Sequence, residues 1–285
     1  MILVDASSIF VSSIMAQIKT FDDQPELVRH TIFNIIRRFN LEHREEYGEM
    51  ILCFDSKNNW RKDAFPQYKA NRKKNRDNSE HDWKAIFDFI NQTTTEIKEY
   101  SPFRCIEVDR CEADDIIGTL CEKHMNPEPI LIVSPDKDFV QLQRYPNVRQ
   151  YSNIQKKWVE PEVDAMTDLA NKVLSGDTGD GVPNVLSDDN VLVESRRQTV
   201  LSKKKRETLL ENPEGLGTTV ARQIIRNRDM IDLTRTPNDL KEQILESFAQ
   251  KPKGSIMRLM TLFTKNQMKL MIESLGDFEV RYLNK

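Results

Sequence analysis

The chain has 285 residues, of which 31% are charged and 38% hydrophobic, and its net charge is only -3. Length and hydrophobic content exclude a disordered chain and allow one large α/β domain or a main domain with a smaller one. The mixed charge selects no partner class, and it leaves nucleic acid open because binding needs only a local basic surface.

No apolar run is long enough to span a membrane and Met1–Val4 is too short for a signal sequence, so a soluble, cytoplasmic protein is expected. Cys53, Cys105, Cys111 and Cys121 show no CxxC spacing and read as small thiols of a reducing compartment. The histidines are scattered, so no zinc ligand set is present.

In chain order, MILVD (1–5) is a short, continuously apolar run that ends in aspartate, as do EMILCFD (49–55) and PILIVSPDKD (129–138). Such runs suit strands covered on both faces. FRCIEVD (103–109) is a fourth strand candidate. Between them, the segment 26–43 repeats apolar residues at Leu27, Ile32, Ile35, Ile36 and Phe39, and 81–100 does so at Trp83, Ile86, Phe87, Ile90 and Ile97, both at helical spacing. Alternating strands and helices predict a mostly parallel, Rossmann-like sheet with right-handed crossovers. The strand-terminal aspartates then meet at one edge, where open α/β sheets bind ligands.

That edge collects acids. Asp5, Asp55, Asp136 and Asp138 follow strands, CEADDIIGTL brings Glu112, Asp114 and Asp115 to a helix start, and LSGDTGDG brings Asp177 and Asp180. One aspartate after a strand is an ordinary cap, and acids in a first helical turn suit the dipole. Their recurrence at one edge is what predicts a site, because like charges gathered there repel unless cations neutralise them. Oxygen ligands without His or Cys select Mg²⁺, or Mn²⁺ in its place, and two such ions form a clamp for attack at phosphorus.

The stretch 58–76 holds seven Lys or Arg and one Asp, with Trp60, Phe65 and Tyr68 interleaved. Arg61, Lys73, Lys74 and Arg76 are its candidate nucleic-acid contacts, with the aromatic faces offered to bases of a single strand or frayed end; a solvated basic face is the alternative. A second basic run lies at 195–206. Gly215 and Gly217 lead into a helix carrying Arg222, Arg226 and Arg228, an arrangement that presents backbone N–H groups to a phosphate. The C-terminal QMKLMIESLGDF is amphipathic and reads as a packed helix, with docking to a sliding clamp or single-strand-binding protein as the alternative.

The order Asp5, Asp55, YKANR, EADD, SPDKDF and GDTGDGVPNV resembles the structure-specific 5′ nucleases, the flap endonuclease and 5′-3′ exonuclease superfamily, most nearly its T-even-like phage ribonuclease H branch. The resemblance implies a PIN-like nuclease domain over 1–183 with a basic arch around 57–80, and a helical domain over 184–285 with a helix-turn-helix-type duplex-binding element. It implies that Asp5, Asp55, Glu112 and Asp114 surround a first metal, and Asp115, Asp136, Asp138, Asp177 and Asp180 a second. It implies that Lys69 and Arg72 contact the scissile phosphate and that Tyr68 stacks on the terminal base. The implied function is Mg²⁺-dependent hydrolysis of RNA/DNA hybrids and of flap or nicked duplex DNA, removing RNA primers, by a monomer. A PIN-like ribonuclease and an inactive nucleic-acid-binding replisome protein are the alternatives. The chain departs from the family's pattern in the polar residues that separate GDTGDG from GLG, and in Gly181, where Asn is common.

Overall fold

A computed structural model of the protein describes residues 1–125, 128–211 and 217–283, with the side chains of 73–75 outside that description. Its centre is a six-stranded sheet formed by β1 (Ile2–Asp5), β2 (Met50–Cys53), β3 (Arg104–Ile106), β4 (Ile130–Val133), β5 (Val148–Ser152) and β6 (Lys157–Val159). The strand order is β3-β2-β1-β4-β5-β6, and every pair is parallel except β5 with β6. The order reverses between β1 and β4, so a crevice opens above the ends of these strands.

β1, β2 and β4 are buried along their whole length, which is why their sequences are continuously apolar. On one face lie α1 (Ala6–Ala16), α2 (Pro25–Tyr47) and α5 (Trp83–Tyr100), packed through Phe10, Phe33, Phe39 and Phe89. On the other lies α6 (Ala113–Lys123), which buries Ile116, Ile117 and Leu120. Short helices α3 (Trp60–Ala64) and α4 (Asn71–Asp77) follow β2, α7 (Ala165–Ser175) and α8 (Lys203–Glu211) follow β6, and the C-terminal helices close both layers. Residues of α9 (Thr218–Ile231) and α10 (Asn238–Ala249), among them Met230 and Ile244, complete the α6 side. Residues of α11 (Ile256–Lys265) and of the segment after it, among them Phe263, Met271 and Phe278, complete the α2 side. QMKLMIESLGDF is therefore packed through Met268, Met271 and Phe278. No helix among the described residues is long and apolar enough to cross a membrane.

Four expectations change. Leu27 is exposed, and Val28 takes its place in the buried stripe of α2. Phe87 of α5 is also exposed. β4 stops at Val133, and Lys137–Arg144 forms a 3₁₀ helix capped by Asp136. The hairpin of β5 and β6 adds two strands that short, half-polar segments do not announce.

Candidate active site

Asp5 ends β1 and caps α1: its Oδ1 accepts from the Ser8 N–H at 3.1 Å, and its Oδ2 accepts from the Ser134 hydroxyl at 3.0 Å. Asp55, two residues past β2, accepts from the Ser7 hydroxyl at 2.7 Å and the Ala113 N–H at 2.8 Å, joining β2 to α1 and α6. Asp136 caps its 3₁₀ helix through the Asp138 N–H, and Gln150 of β5 donates to the backbone carbonyls of Ser134 and Asp136, holding that loop over the sheet edge. Asp177 and Asp180 share a tight turn in which Asp177 pairs with Val182 and the Asp180 N–H donates to Asp177.

Gly181 makes that turn possible. Its φ is +75°, and a Cβ there would lie 2.7 Å from the Gln67 carbonyl oxygen, next to the Lys69 N–H, which donates to the Asp180 carbonyl at 2.7 Å. Gly181→Ala is therefore expected to cost about 1–3 kcal/mol and to shift Lys69 away from the acids. Urea unfolding together with a cleavage assay measures both.

Three cations stand among the carboxylates. The Lys69 ammonium donates to Glu112 at 2.6 Å and lies 3.6 Å from Asp180, and Arg72 pairs with Asp180 at 2.7 Å. Lys172 of α7 (Ala165–Ser175) bridges Asp138 and Asp177. Sequence reasoning missed Lys172; its only signal is its position on the helical turn leading into GDTGDG. Burial opposes ionisation of Glu112, but Lys69 and Arg61 hold its pKa down to about 2. Asp177 is likewise held low by Lys172 against the effect of burial.

Three further acids are pushed upward, two of them although a lysine opposes it: Lys69 at Asp114 and Lys172 at Asp136. Burial first, then the charge of Asp55, pushes Asp5 up to about 7. Burial and the charges of Glu112, Asp136 and Asp5 push Asp114 well above the usual carboxylate range, and among the described residues Asp114 accepts no hydrogen bond. Asp136 is raised by burial and by Asp177. The residual negative charge and the oxygen-only donors fit hard divalent cations. Among the described residues no three carboxylates already close around one point, because Lys69, Arg72 and Lys172 stand between them.

Two expected site residues are placed elsewhere. Asp115 is fully buried and turned into the core, where Oδ1 accepts from the Trp60 indole and the Thr236 hydroxyl and Oδ2 from Arg61 and the Glu112 N–H. All its near lone pairs are used, so it supports the site rather than facing it. Arg61 is 1% exposed, stacked over Trp60 and bonded to the Met230 carbonyl, so it presents nothing to a nucleic acid.

Trp60, Phe65 and Tyr68 are also core residues. Trp60 reaches only the inward-turned Asp115, whereas the Tyr68 hydroxyl lies 2.8 Å from Glu112 and 3.0 Å from Asp180, and the Tyr68 ring, 2% exposed, offers no stacking face. Lys73 and Lys74 lie on α4 (Asn71–Asp77), with side chains outside the described set, and Arg76 stands 5.5 Å over the Phe87 ring. Gly215 lies outside the described residues. Gly217 is the N-cap of α9, with open space where a Cβ would be. Arg222 is exposed but pairs at 2.9 Å with Asp189, which belongs to the polar segment between GDTGDG and GLG.

Comparison with known proteins agrees with this geometry. Residues 1–169 match the 5′-3′ exonuclease N-terminal resolvase-like domain, and residues 160–278 match the T4 RNase H C-terminal domain. The chain is 31% identical to the ribonuclease H of Enterobacteria phage T4, over 97% of this chain and 95% of that one. Among solved structures it is similar to the T5 D15 protein co-crystallised with metal ions, with a TM-score of 0.57 and 16% identity over 98% and 99% of the two chains. A T5 D15 flap endonuclease complex with DNA and metal ions gives a TM-score of 0.59 and 17% identity, over 87% and 99%. A sheet edge crowded with carboxylates, basic residues seated among them and two family matches that together span nearly the whole chain lead to one assignment: the chain belongs to the 5′-3′ exonuclease family of nucleic-acid hydrolases, in the branch that carries the T4 RNase H C-terminal domain.

Proposed function

We propose that the protein is a Mg²⁺-dependent 5′-3′ nuclease that hydrolyses phosphodiester bonds in RNA/DNA hybrids and in flap or nicked duplexes, removing RNA primers in the cytoplasm, the host's if the chain is phage-encoded. The observation that carries this reading is the excess of carboxylates over cations at the β1–β4 crevice, with Asp5 and Asp114 pushed upward. A protein that only bound nucleic acid would gain nothing from that repulsion. Asp5, Asp55, Glu112, Asp114, Asp136, Asp138, Asp177 and Asp180 would hold the ions, with Mn²⁺ able to replace Mg²⁺. Bound there, divalent ions supply polarisation of the scissile phosphate and an ionised water.

The chain's own residues do the rest. Glu112, held ionised by Lys69 and Arg61, keeps its negative charge at any working pH. Lys69 and Arg72 pair with Glu112 and Asp180 on the acid side of the arch, and an incoming phosphate competes for the same ammonium and guanidinium groups. They thereby meet the charge that grows on the phosphate as the bond to the 3′ oxygen breaks, leaving a 5′ phosphate. Tyr68 and Asp115 keep Glu112 in place from behind.

The test is cleavage of a 5′-labelled flap duplex and of an RNA/DNA hybrid with Mg²⁺ or EDTA, beside Asp136→Asn. Cleavage is expected with Mg²⁺ only, and the variant should lose roughly two orders of magnitude or more. Activity in EDTA, or full activity in the variant, would overturn the reading.

A further inference from the structure

Asp138 and the pair Asp177 and Asp180 come from different elements, yet both are tied to one helix, α9, by a buried side-chain amide. Asn227, fully buried on α9, donates through Nδ2 to the Val173 carbonyl at 2.7 Å and to the Pro183 carbonyl at 2.9 Å. Val173 lies in the last turn of α7, and the N–H four residues on, that of Asp177, is turned to Val182 instead, so this carbonyl has no partner in its own helix. The two carbonyls stand on either side of the turn that carries Asp177 and Asp180, and one amide spans its base. Arg226 holds the amide in this orientation by donating to its Oδ1 at 2.9 and 2.8 Å. Gln141, 3% exposed on the 3₁₀ helix that Asp136 caps, ties down Asp138. Its Nε2 donates to the Asp138 carbonyl at 2.8 Å and to the Ile231 carbonyl at the end of α9 at 3.0 Å, and its Oε1 accepts from the Leu233 N–H at 2.9 Å.

We infer that Asn227 and Gln141 are positioning residues for the reaction: acting through backbone carbonyls, they fix Asp138 relative to Asp177 and Asp180 and so set how tightly that side of the cluster holds a divalent ion. This rests on the nuclease reading and deepens it. Neither amide bonds to a carboxylate, so neither is a ligand and both act at one remove. The acids they serve already share a cation, because the Lys172 ammonium bridges Asp138 and Asp177. Carboxylates that repel one another keep such a spacing only if their backbones are held, and α9 is a firm mount, packed into the core through Met230 and Ile231. Packing alone would be met by apolar side chains, which avoid the cost of burying an amide. Asp5, Asp55 and Asp114 belong to β1, the end of β2 and α6 and touch neither amide, so the effect is confined to the other side of the crevice.

Isothermal titration calorimetry of the full chain with Mg²⁺ alone reads the affinity for the ion, and cleavage of the 5′-labelled flap duplex over a range of Mg²⁺ concentrations reads its use. Asn227→Ala and Gln141→Met are each expected to weaken Mg²⁺ binding about tenfold to a hundredfold and to raise the Mg²⁺ concentration for half-maximal cleavage by a similar factor. The KM for the flap should hold, and kcat should recover as Mg²⁺ is raised. A role in packing alone gives a different pattern, lower stability in urea with an unmoved Mg²⁺ midpoint. Phe263→Leu, which thins the core on the other face of the sheet, should show that pattern and serves as the control. The two amides lie on different elements, so a variant that fails to fold leaves the other to decide. An unchanged Mg²⁺ affinity and midpoint in either variant, with urea unfolding showing it folded, would overturn the inference while leaving the nuclease reading intact. A parent protein that binds no Mg²⁺ would overturn that reading, and this inference with it.

Discussion

Asp5→Asn is expected to stabilise the metal-free protein at pH 8 while abolishing cleavage. Asp5 is 8% exposed, and burial followed by the charge of Asp55 raises its pKa to about 7. In the unfolded chain it would titrate at about 4. Between these values the folded protein binds the extra proton, so the contribution of Asp5 to stability is complete below about pH 4 and is lost as pH rises toward 7. The loss at pH 8 is up to about 4 kcal/mol. Asparagine removes the titration but keeps an oxygen for the Ser8 N–H, so the cap on α1 survives. Urea unfolding in EDTA should show a wild-type protein less stable at pH 8 than at pH 5, and a variant in which that difference shrinks. Mg²⁺ should stabilise the wild type at pH 8 by mass action and the variant much less. Cleavage should fall by roughly two orders of magnitude or more. A variant less stable than wild type at pH 8 in EDTA would mean that the Asp5 charge is already satisfied by the protein.

The strands that build this edge were legible because burial on both faces leaves an unbroken apolar run, and the aspartate after each run marks where the chain leaves the core. β5 and β6 were not, since Arg149 and Gln150 interrupt the first and the second has three residues. Gln150 is polar for a reason no local pattern carries: its amide ties down the loop that bears Asp136. The aromatic residues show the same limit. Trp60 and Tyr68 lie in a strongly basic stretch and read as exposed, yet both are buried, while Phe87 sits on a regular apolar stripe and faces solvent. Spacing gives the faces of a helix, but the element that covers each face comes from elsewhere in the chain. For Trp60 that element is α6, whose Asp115 accepts its indole proton.

The three acids of CEADDIIGTL put this limit into a testable form. Glu112 and Asp114 face the cluster, but Asp115, one residue on, points inward because Trp60 and Arg61 from one distant segment and Thr236 from another converge on it. Asp115→Ala would leave the Arg61 guanidinium buried without its 2.9 Å partner, together with unsatisfied donors from the Trp60 indole and the Glu112 N–H, while the Thr236 hydroxyl keeps the Leu233 carbonyl. Removing one member of a buried pair costs about 3–5 kcal/mol, a large part of a typical domain's stability. Removing both charges should cost less, because no unpaired ion remains. Arg61→Met combined with Asp115→Asn is therefore expected to be more stable than Asp115→Ala alone, a non-additivity that urea unfolding of the variants and wild type measures. The decisive condition is EDTA. A side chain that serves as a strut is missed equally with and without divalent ions, whereas a metal ligand is missed only when the ion is present. For Asp115→Ala the loss of stability should appear in full in EDTA. A variant as stable as wild type in EDTA, with weakened Mg²⁺ binding by calorimetry, would return Asp115 to the metal site.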